Sequence, residues 1–321
     1  MRRPAHDPVT GTVRVAAVDC GTNSLRLLVA DVEGSTKTDV HREMRVVRLG
    51  QGVDRTGSLA PEALERTRLA LRDYAVTCAD LGVERTRMVA TSATRDARNR
   101  DDFVAVVQAA LGVAPEVVSG DEEAVLSFDG ATRGLDPATG PFLVVDIGGG
   151  STELVVGSDA VEAGRSVDVG CVRLTERHLA TDPPTTAEVA AARADVLVAL
   201  DVARQTVPVE KAATAVFLAG SATTVAAHAL GLSSYDASRT HLARFDAATF
   251  LAACDELLAM PRGARAALPY MHPGRVDVIG AGALVLATVV TELGLTELVV
   301  SESDILDGIA FSAVRSGHGQ G

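Results

Sequence analysis

The chain has no tryptophan, and its 321 residues include only three tyrosines and seven phenylalanines. So few aromatic rings exclude the stacking platforms that hold single-stranded nucleic acids. Lysine is almost as scarce: Lys37 and Lys211 are the only two, and the other 28 of the 30 basic residues are arginines. Arginine suits bidentate phosphate binding, although in an alanine-rich chain this balance chiefly reflects coding bias. Neither lysine stands in a G-x-x-x-x-G-K-[ST] context, which removes the P-loop class of nucleotide site. The four cysteines, Cys20, Cys78, Cys171 and Cys254, are far apart and contain no C-x-x-C pair. They read as core thiols of a reducing compartment, not as a disulfide frame or zinc site. The seven histidines form no H-x-H or H-E-x-x-H pattern, so hydrolysis through His-bound zinc is not expected. No apolar run is long enough to span a bilayer, the longest lying around residues 281–290. The first eight residues lack an apolar core and read as a loose tail, not a signal peptide. A cytoplasmic protein is the expectation.

Positive charge is also in deficit. Against 42 Asp plus Glu stand 30 Lys plus Arg, a formal net charge of −12. That field argues against a nucleic-acid or anionic-membrane partner. Any polyanionic ligand must be gripped locally, against the global repulsion. The composition, 47% apolar and 22% charged, is that of a soluble globular protein, and the length favours two domains.

What is present is a repeat. Val15-Ala16-Ala17-Val18-Asp19-Cys20-Gly21-Thr22-Asn23-Ser24 is echoed by Phe142-Leu143-Val144-Val145-Asp146-Ile147-Gly148-Gly149-Gly150-Ser151. Asp19, Gly21 and Ser24 recur as Asp146, Gly148 and Ser151, each 127 positions on. A second pair, 89–95 against 218–224, recurs at an offset of 129. Two homologous domains follow, with a boundary in the turn-rich stretch 129–141. Each half opens with two short apolar runs joined by a glycine turn (13–18 and 25–30; 142–145 and 153–156), which predicts hairpins. Third strands are expected at 44–48 and 166–169. Helices follow at 61–80 and 187–207. Further strand–helix units are 88–91 into 93–111, 113–118 into 121–131 and 216–219 into 223–230. The predicted class is mixed α/β: a tail at 1–12, one domain at 13–130 and another at 131–321. A helix at about 303–316 is expected to pack back on the first domain.

Consecutive glycines between strands let backbone N–H groups converge on a ligand with no side chain in the way. Gly148, Gly149, Gly150 and Ser151 therefore read as a phosphate cradle, with Asn23 and Ser24 on the opposite wall. Asp146 would repel phosphate directly, but through Mg²⁺ (or Mn²⁺) the same carboxylate becomes useful. Competing readings are a purely structural hairpin and a methyltransferase loop; the latter should open a helix, whereas residues 153–156 continue as a strand. Gly280-Ala281-Gly282-Ala283 lacks the third glycine of a dinucleotide fingerprint.

These pieces, with Ala90-Thr91-Ser92-Ala93-Thr94-Arg95, Ser119-Gly120-Asp121-Glu122-Glu123-Ala124 and Ala219-Gly220-Ser221-Ala222-Thr223, resemble the exopolyphosphatase / guanosine pentaphosphate phosphohydrolase (Ppx/GppA) family. The resemblance runs from about residue 13 to residue 309 and implies two duplicated actin-like, ribonuclease H-like domains around a cleft. Larger members carry an added C-terminal helical domain, so this chain looks like a short form. By resemblance, Glu123 activates water, in preference to Glu122. Asp19, Asp146 and Glu153 would serve the metal, although strand alternation puts Asp146 and Glu153 on different faces if the turn is ignored. Gly220 and Ser221 would form the second-domain phosphate loop. Arg95 is the expected side-chain clamp on phosphate oxygens. Arg275 and Asp277 either pair with each other or face substrate.

The expected activity is Mg²⁺-dependent hydrolysis of the terminal phosphoanhydride of inorganic polyphosphate, short chains favoured. The alternative within the family is guanosine pentaphosphate 5′-phosphohydrolysis, with its link to the stringent response. A kinase of the same fold and a non-catalytic sensor are the competing classes. A homodimer is the expected assembly, as the commonest oligomer.

Overall fold

The duplication seen in the sequence is repeated in the strand order of the computed structural model, which describes residues 11–315. Most of the expected N-terminal tail lies outside the described residues. The first half contains β1 (Val13–Cys20), β2 (Ser24–Glu33), β3 (Thr36–Val46), α1 (Val53–Thr56) and α2 (Pro61–Asp80). It continues through β4 (Arg85–Ala90), α3 (Ser92–Asp96), α4 (Arg100–Leu111), β5 (Glu116–Val117) and α5 (Gly120–Thr132). The second half begins β6 (Phe142–Ile147), β7 (Thr152–Gly157), β8 (Val161–Val167), α6 (Cys171–His178), α7 (Thr186–Arg204) and β9 (Thr214–Leu218). Next come α8 (Ala219–Ala229), α9 (Ala237–Thr240), β10 (Ala243–Asp246), α10 (Ala247–Ala259) and α11 (Arg262–Ala267). It ends with α12 (Ile279–Glu292), β11 (Glu297–Val300) and α13 (Ile305–Arg315).

The sheets are ordered β3-β2-β1-β4-β5 and β10-β11-β9-β6-β7-β8. Read from β8 inward, the second sheet repeats the first strand for strand and adds β10 at its edge. In both, an antiparallel three-stranded meander joins parallel strands. This is an α/β molecule of two actin-like domains.

Central strands are apolar on both faces because both faces are covered. In the first sheet, Val18, Leu25 and Leu27 face Leu71, Tyr74 and Phe103 of α2 and α4, while Val15, Ala17 and Leu28 face Ile309 and Phe311 of α13. In the second, Val145, Leu154 and Phe217 join α7, α10 and α12, while Val144, Val155 and Val216 meet Ala124 and Phe128 of α5. The two sheets thus exchange a helix each: α5 lies on the second sheet and α13 on the first. Where these helices cross, a Cβ on Gly130 would sit 1.9 Å from the Asp304 carbonyl oxygen, and one on Gly308 2.0 Å from that of Leu126. Only glycine fits at either position.

The outer strands depart from the sequence reading. β3 and β8 begin at Thr36 and Val161, well before the expected 44–48 and 166–169. β3 is mostly polar and β8 interrupts its apolar residues with Glu162, Gly164, Arg165 and Ser166, and both are part-exposed, as edge strands that must not recruit another chain should be, so a search for apolar runs finds only their ends. The expected helix at 93–111 breaks into α3 and α4 around Asn99, whose side-chain amide both accepts from and donates to the Leu59 backbone. β5 is reduced to two residues. No helix among the described residues is long and apolar enough to cross a membrane.

Candidate active site

Loops at the C-terminal ends of β1, β4, β6 and β9 face one another across the cleft between the sheets, the place where open α/β sheets bind ligands. The two hairpin turns are built alike: the Gly21 N–H donates to the Ser24 carbonyl at 3.0 Å, and the Gly148 N–H to that of Ser151 at 3.0 Å. The glycines are required by proximity, since Gly148, Gly149 and Gly150 have no positive φ. A Cβ on Gly150 would lie 2.7 Å from the Ser92 hydroxyl and 2.8 Å from that of Thr22, and one on Gly149 2.8 Å from the Thr22 Cβ. The N–H groups of Gly149 and Gly150 find no acceptor in the protein among the described residues. Because β7 returns antiparallel to β6, the glycine loop opens no helix, and the methyltransferase arrangement is excluded.

A cavity of about 90 Å³ lies between these loops. Of the residues singled out from sequence, Asp19, Asn23, Ser24, Glu123, Asp146, Gly148, Gly149, Ser151, Gly220 and Ser221 line it. Gly150 sits just behind, against Thr22 and Ser92. Glu153 is buried beside it and accepts from the Ser166 hydroxyl at 2.6 Å. Arg95 is not in the lining: its Nη1 donates to Glu123 Oε2 at 3.0 Å and to the Val118 carbonyl at 3.1 Å. Glu122 points away and pairs with Arg87 at 2.9 Å.

The register corrects one expectation. Asp146 and Glu153 are directly paired across the β6–β7 hairpin, and opposed residues of antiparallel strands share a face. The matching pair in the first half is Asp19 opposite Arg26, joined at 2.7 Å. Arg26 also bonds Asp304 and lines the cavity. No motif in the sequence singles it out, yet the turn length alone sets it across from Asp19. Arg275 also lines the cavity, close above Gly220, where a Cβ would lie 1.5 Å from its guanidinium. Asp277 does not pair with it but with Arg48 and Arg262, at 2.8 and 2.6 Å. Ala219, just before Gly220, adopts a φ of 64°, a left-handed conformation that stores strain at this loop.

The acidic groups are held under tension. Burial, opposed by Arg95 and reinforced by Asp146 and Asp19, raises Glu123 to about 7. Burial and the nearby Asp304 raise Asp146 to about 6, against the Ser127 hydroxyl, which donates to it at 2.6 Å. Glu153 is pushed well above the usual carboxylate range by burial and by Glu123 and Asp146. Burial also raises Asp19, against Arg26.

These groups fit a divalent cation. Asp19 Oδ1 is buried without a hydrogen-bond partner, and the Asp146–Glu153 pair has no basic residue opposite it on the hairpin. Among the described residues no three His, Cys, Asp or Glu side chains form a ready-made metal group. A cation here would rest on one or two carboxylates and complete its shell with phosphate oxygens and water, the habit of Mg²⁺.

Comparison with known proteins agrees with this architecture. The chain is 54% identical over 312 residues to "Exopolyphosphatase 2" of Mycobacterium tuberculosis, covering 93% of this chain and 98% of the relative. Among solved structures, an exopolyphosphatase-like protein superposes with a TM-score of 0.90 at 42% identity, covering 94% of this chain and 99% of the other. The Aquifex aeolicus Ppx/GppA family member superposes at 0.78 with 28% identity, covering 97% and 100%. With a family match from residue 28 to residue 316, the chain belongs to the Ppx/GppA phosphatase family.

Proposed function

We propose that the chain is an exopolyphosphatase, removing the terminal phosphate of inorganic polyphosphate with Glu123 as the base that activates water. The observation that carries this reading is the buried Glu123 carboxylate facing two glycine turns across an arginine-lined cleft. The name of the Mycobacterium tuberculosis relative supports it. Glu123 takes a proton from water as its oxygen attacks the terminal phosphorus. The P–O–P bond breaks, orthophosphate departs, and the shortened chain keeps the bridging oxygen. The loop N–H groups of Gly149 and Gly150, with Asn23, Ser24, Ser151, Gly220 and Ser221, would hold phosphate oxygens, and Arg275 and Arg26 would balance their charge. Asp19 and Asp146, supported by Glu153, would hold Mg²⁺, which when bound neutralises charge on the transferred group. The acidic surface favours short chains. Four buried free cysteines suit a cytoplasmic site of action.

Glu123→Gln should fold normally and lose about 10²–10⁴-fold in rate, the usual contribution of a general base. Near-full phosphate release by that variant would exclude the mechanism. A second reading, guanosine pentaphosphate 5′-phosphohydrolysis, is favoured by one feature. A chamber of about 480 Å³, lined by Met44, Tyr235 and Tyr270 and reached past Arg275, has room for a nucleoside. Phosphate release from short polyphosphates and from the guanosine nucleotide, with and without Mg²⁺, separates the two. A kinase would release little phosphate without an acceptor, and a sensor none.

A further inference from the structure

We propose that Arg95 is a positioning residue that anchors the Glu123 carboxylate from the side away from the cleft, and that it does not bind phosphate. The proposal rests on the role of Glu123 given above.

The geometry is specific. One guanidinium nitrogen of Arg95 donates at once to Glu123 Oε2 and to the Val118 carbonyl, at 3.0 and 3.1 Å. Val118 immediately precedes Ser119, the residue that caps α5 by accepting from the Glu122 N–H at 3.1 Å. The same cation therefore ties the carboxylate to the backbone from which its own helix starts. Glu123 Oε2 is held, and Oε1, which has no protein partner among the described residues, is left to receive the proton of water. The outer side of the guanidinium opens on a separate shallow recess with Ser119, Asp121, Arg165, Ser166 and Asp168, none of which lines the cleft.

The charges around Glu123 show what this anchor does. Arg95 faces it from α3, Asp146 from β6, Asp19 from β1 and Glu153 from β7. Three of these four are carboxylates, which drive the Glu123 side chain toward neutrality or toward another rotamer. The arginine opposes both. A misplacement of about 1 Å in a reacting group is enough to cost about 10²-fold in rate, so the anchor should appear in turnover more than in substrate affinity.

The test compares wild type, Arg95→Gln and Arg95→Lys, each checked by circular dichroism and thermal melting. With a short polyphosphate as substrate, Arg95→Gln should lose about 10²-fold in kcat while KM stays within about twofold. The acid limb of its kcat/KM profile should move to higher pH. Arg95→Lys, which keeps the charge but not the two-point geometry, should restore most of the limb and only part of kcat. A large rise in KM with kcat and the limb unchanged would mean a phosphate clamp and overturn the proposal. The Glu123 carboxyl carbon, labelled with carbon-13 and identified by its loss in Glu123→Gln, gives a reading independent of turnover. Without substrate, its titration midpoint should lie higher in Arg95→Gln than in wild type; an unchanged midpoint also overturns the proposal. If wild type released no phosphate from polyphosphate, the functional reading alone would fail, and the carbon-13 titration would still decide the role of Arg95.

Discussion

Asp19 and Asp146 occupy equivalent hairpin positions, yet one faces Arg26 and the other Glu153. Arg26, shared with Asp304, offsets the charge of the first pair; the second has no such partner and needs a proton or a cation. The raised carboxylates fix the sign of a pH effect. Glu123 at about 7 and Asp146 at about 6 both lie above their ordinary values of 4.5 and 3.8. Between those limits the folded chain binds more protons than the unfolded one, so their contribution to stability falls as pH rises. Without divalent cation, the urea midpoint of wild type should drop more steeply from about pH 4.5 to about pH 7 than that of Glu123→Gln. Equal slopes in the two proteins would show that Glu123 is not perturbed in this way. The sequence marks Glu123 and Glu122 as neighbours of one kind, and only the phase of α5 on the second sheet turns one into the cleft and the other toward Arg87.

At the level of elements, the β1–β2 and β6–β7 hairpins are legible because a tight glycine turn between apolar runs admits one antiparallel register. The edge strands β3 and β8 are legible only at their ends, since their polar residues satisfy solvent and carry no apolar signal. The α5–α13 crossing leaves no periodic trace at all: Gly130 and Gly308 look like weak helix positions until the backbones they admit are seen. Gly308→Ala should therefore destabilise the fold by about 1–3 kcal/mol, the usual cost of overpacking, although alanine is the better helix former. A calorimetric melting temperature equal to or above that of wild type would show that the crossing is looser than this geometry.

Across the whole molecule, a formal charge of −12 surrounds a cleft suited to a polyanion. On the proposed function, Arg26, Arg275 and the loop N–H groups of Gly149 and Gly150 would act at short range, while the acidic exterior would repel the part of a long chain that must leave the cleft. The ratio of kcat/KM for long over short polyphosphates should accordingly be below one at low ionic strength and rise as salt screens the surface. A ratio that falls with added salt would point instead to a basic track along the exterior.

Composition and pattern alone determined the duplicated α/β architecture, the two glycine turns and the Ser119–Glu123 helix start, because each is written in short runs of adjacent residues, the duplication in two such runs that recur at nearly one offset. Tertiary structure decided what those residues meet. Arg275 reaches the cleft from a position more than a hundred residues away from Ser151, and its neighbour Asp277 pairs with Arg48 of the other half. Arg95, one turn past the cleft-lining Ser92, is drawn behind Glu123 and away from the loops. Such placements depend on how two sheets and an exchanged helix pair stack. Stacking is set by buried area and close backbone approach summed over both halves, a quantity no local stretch of sequence contains.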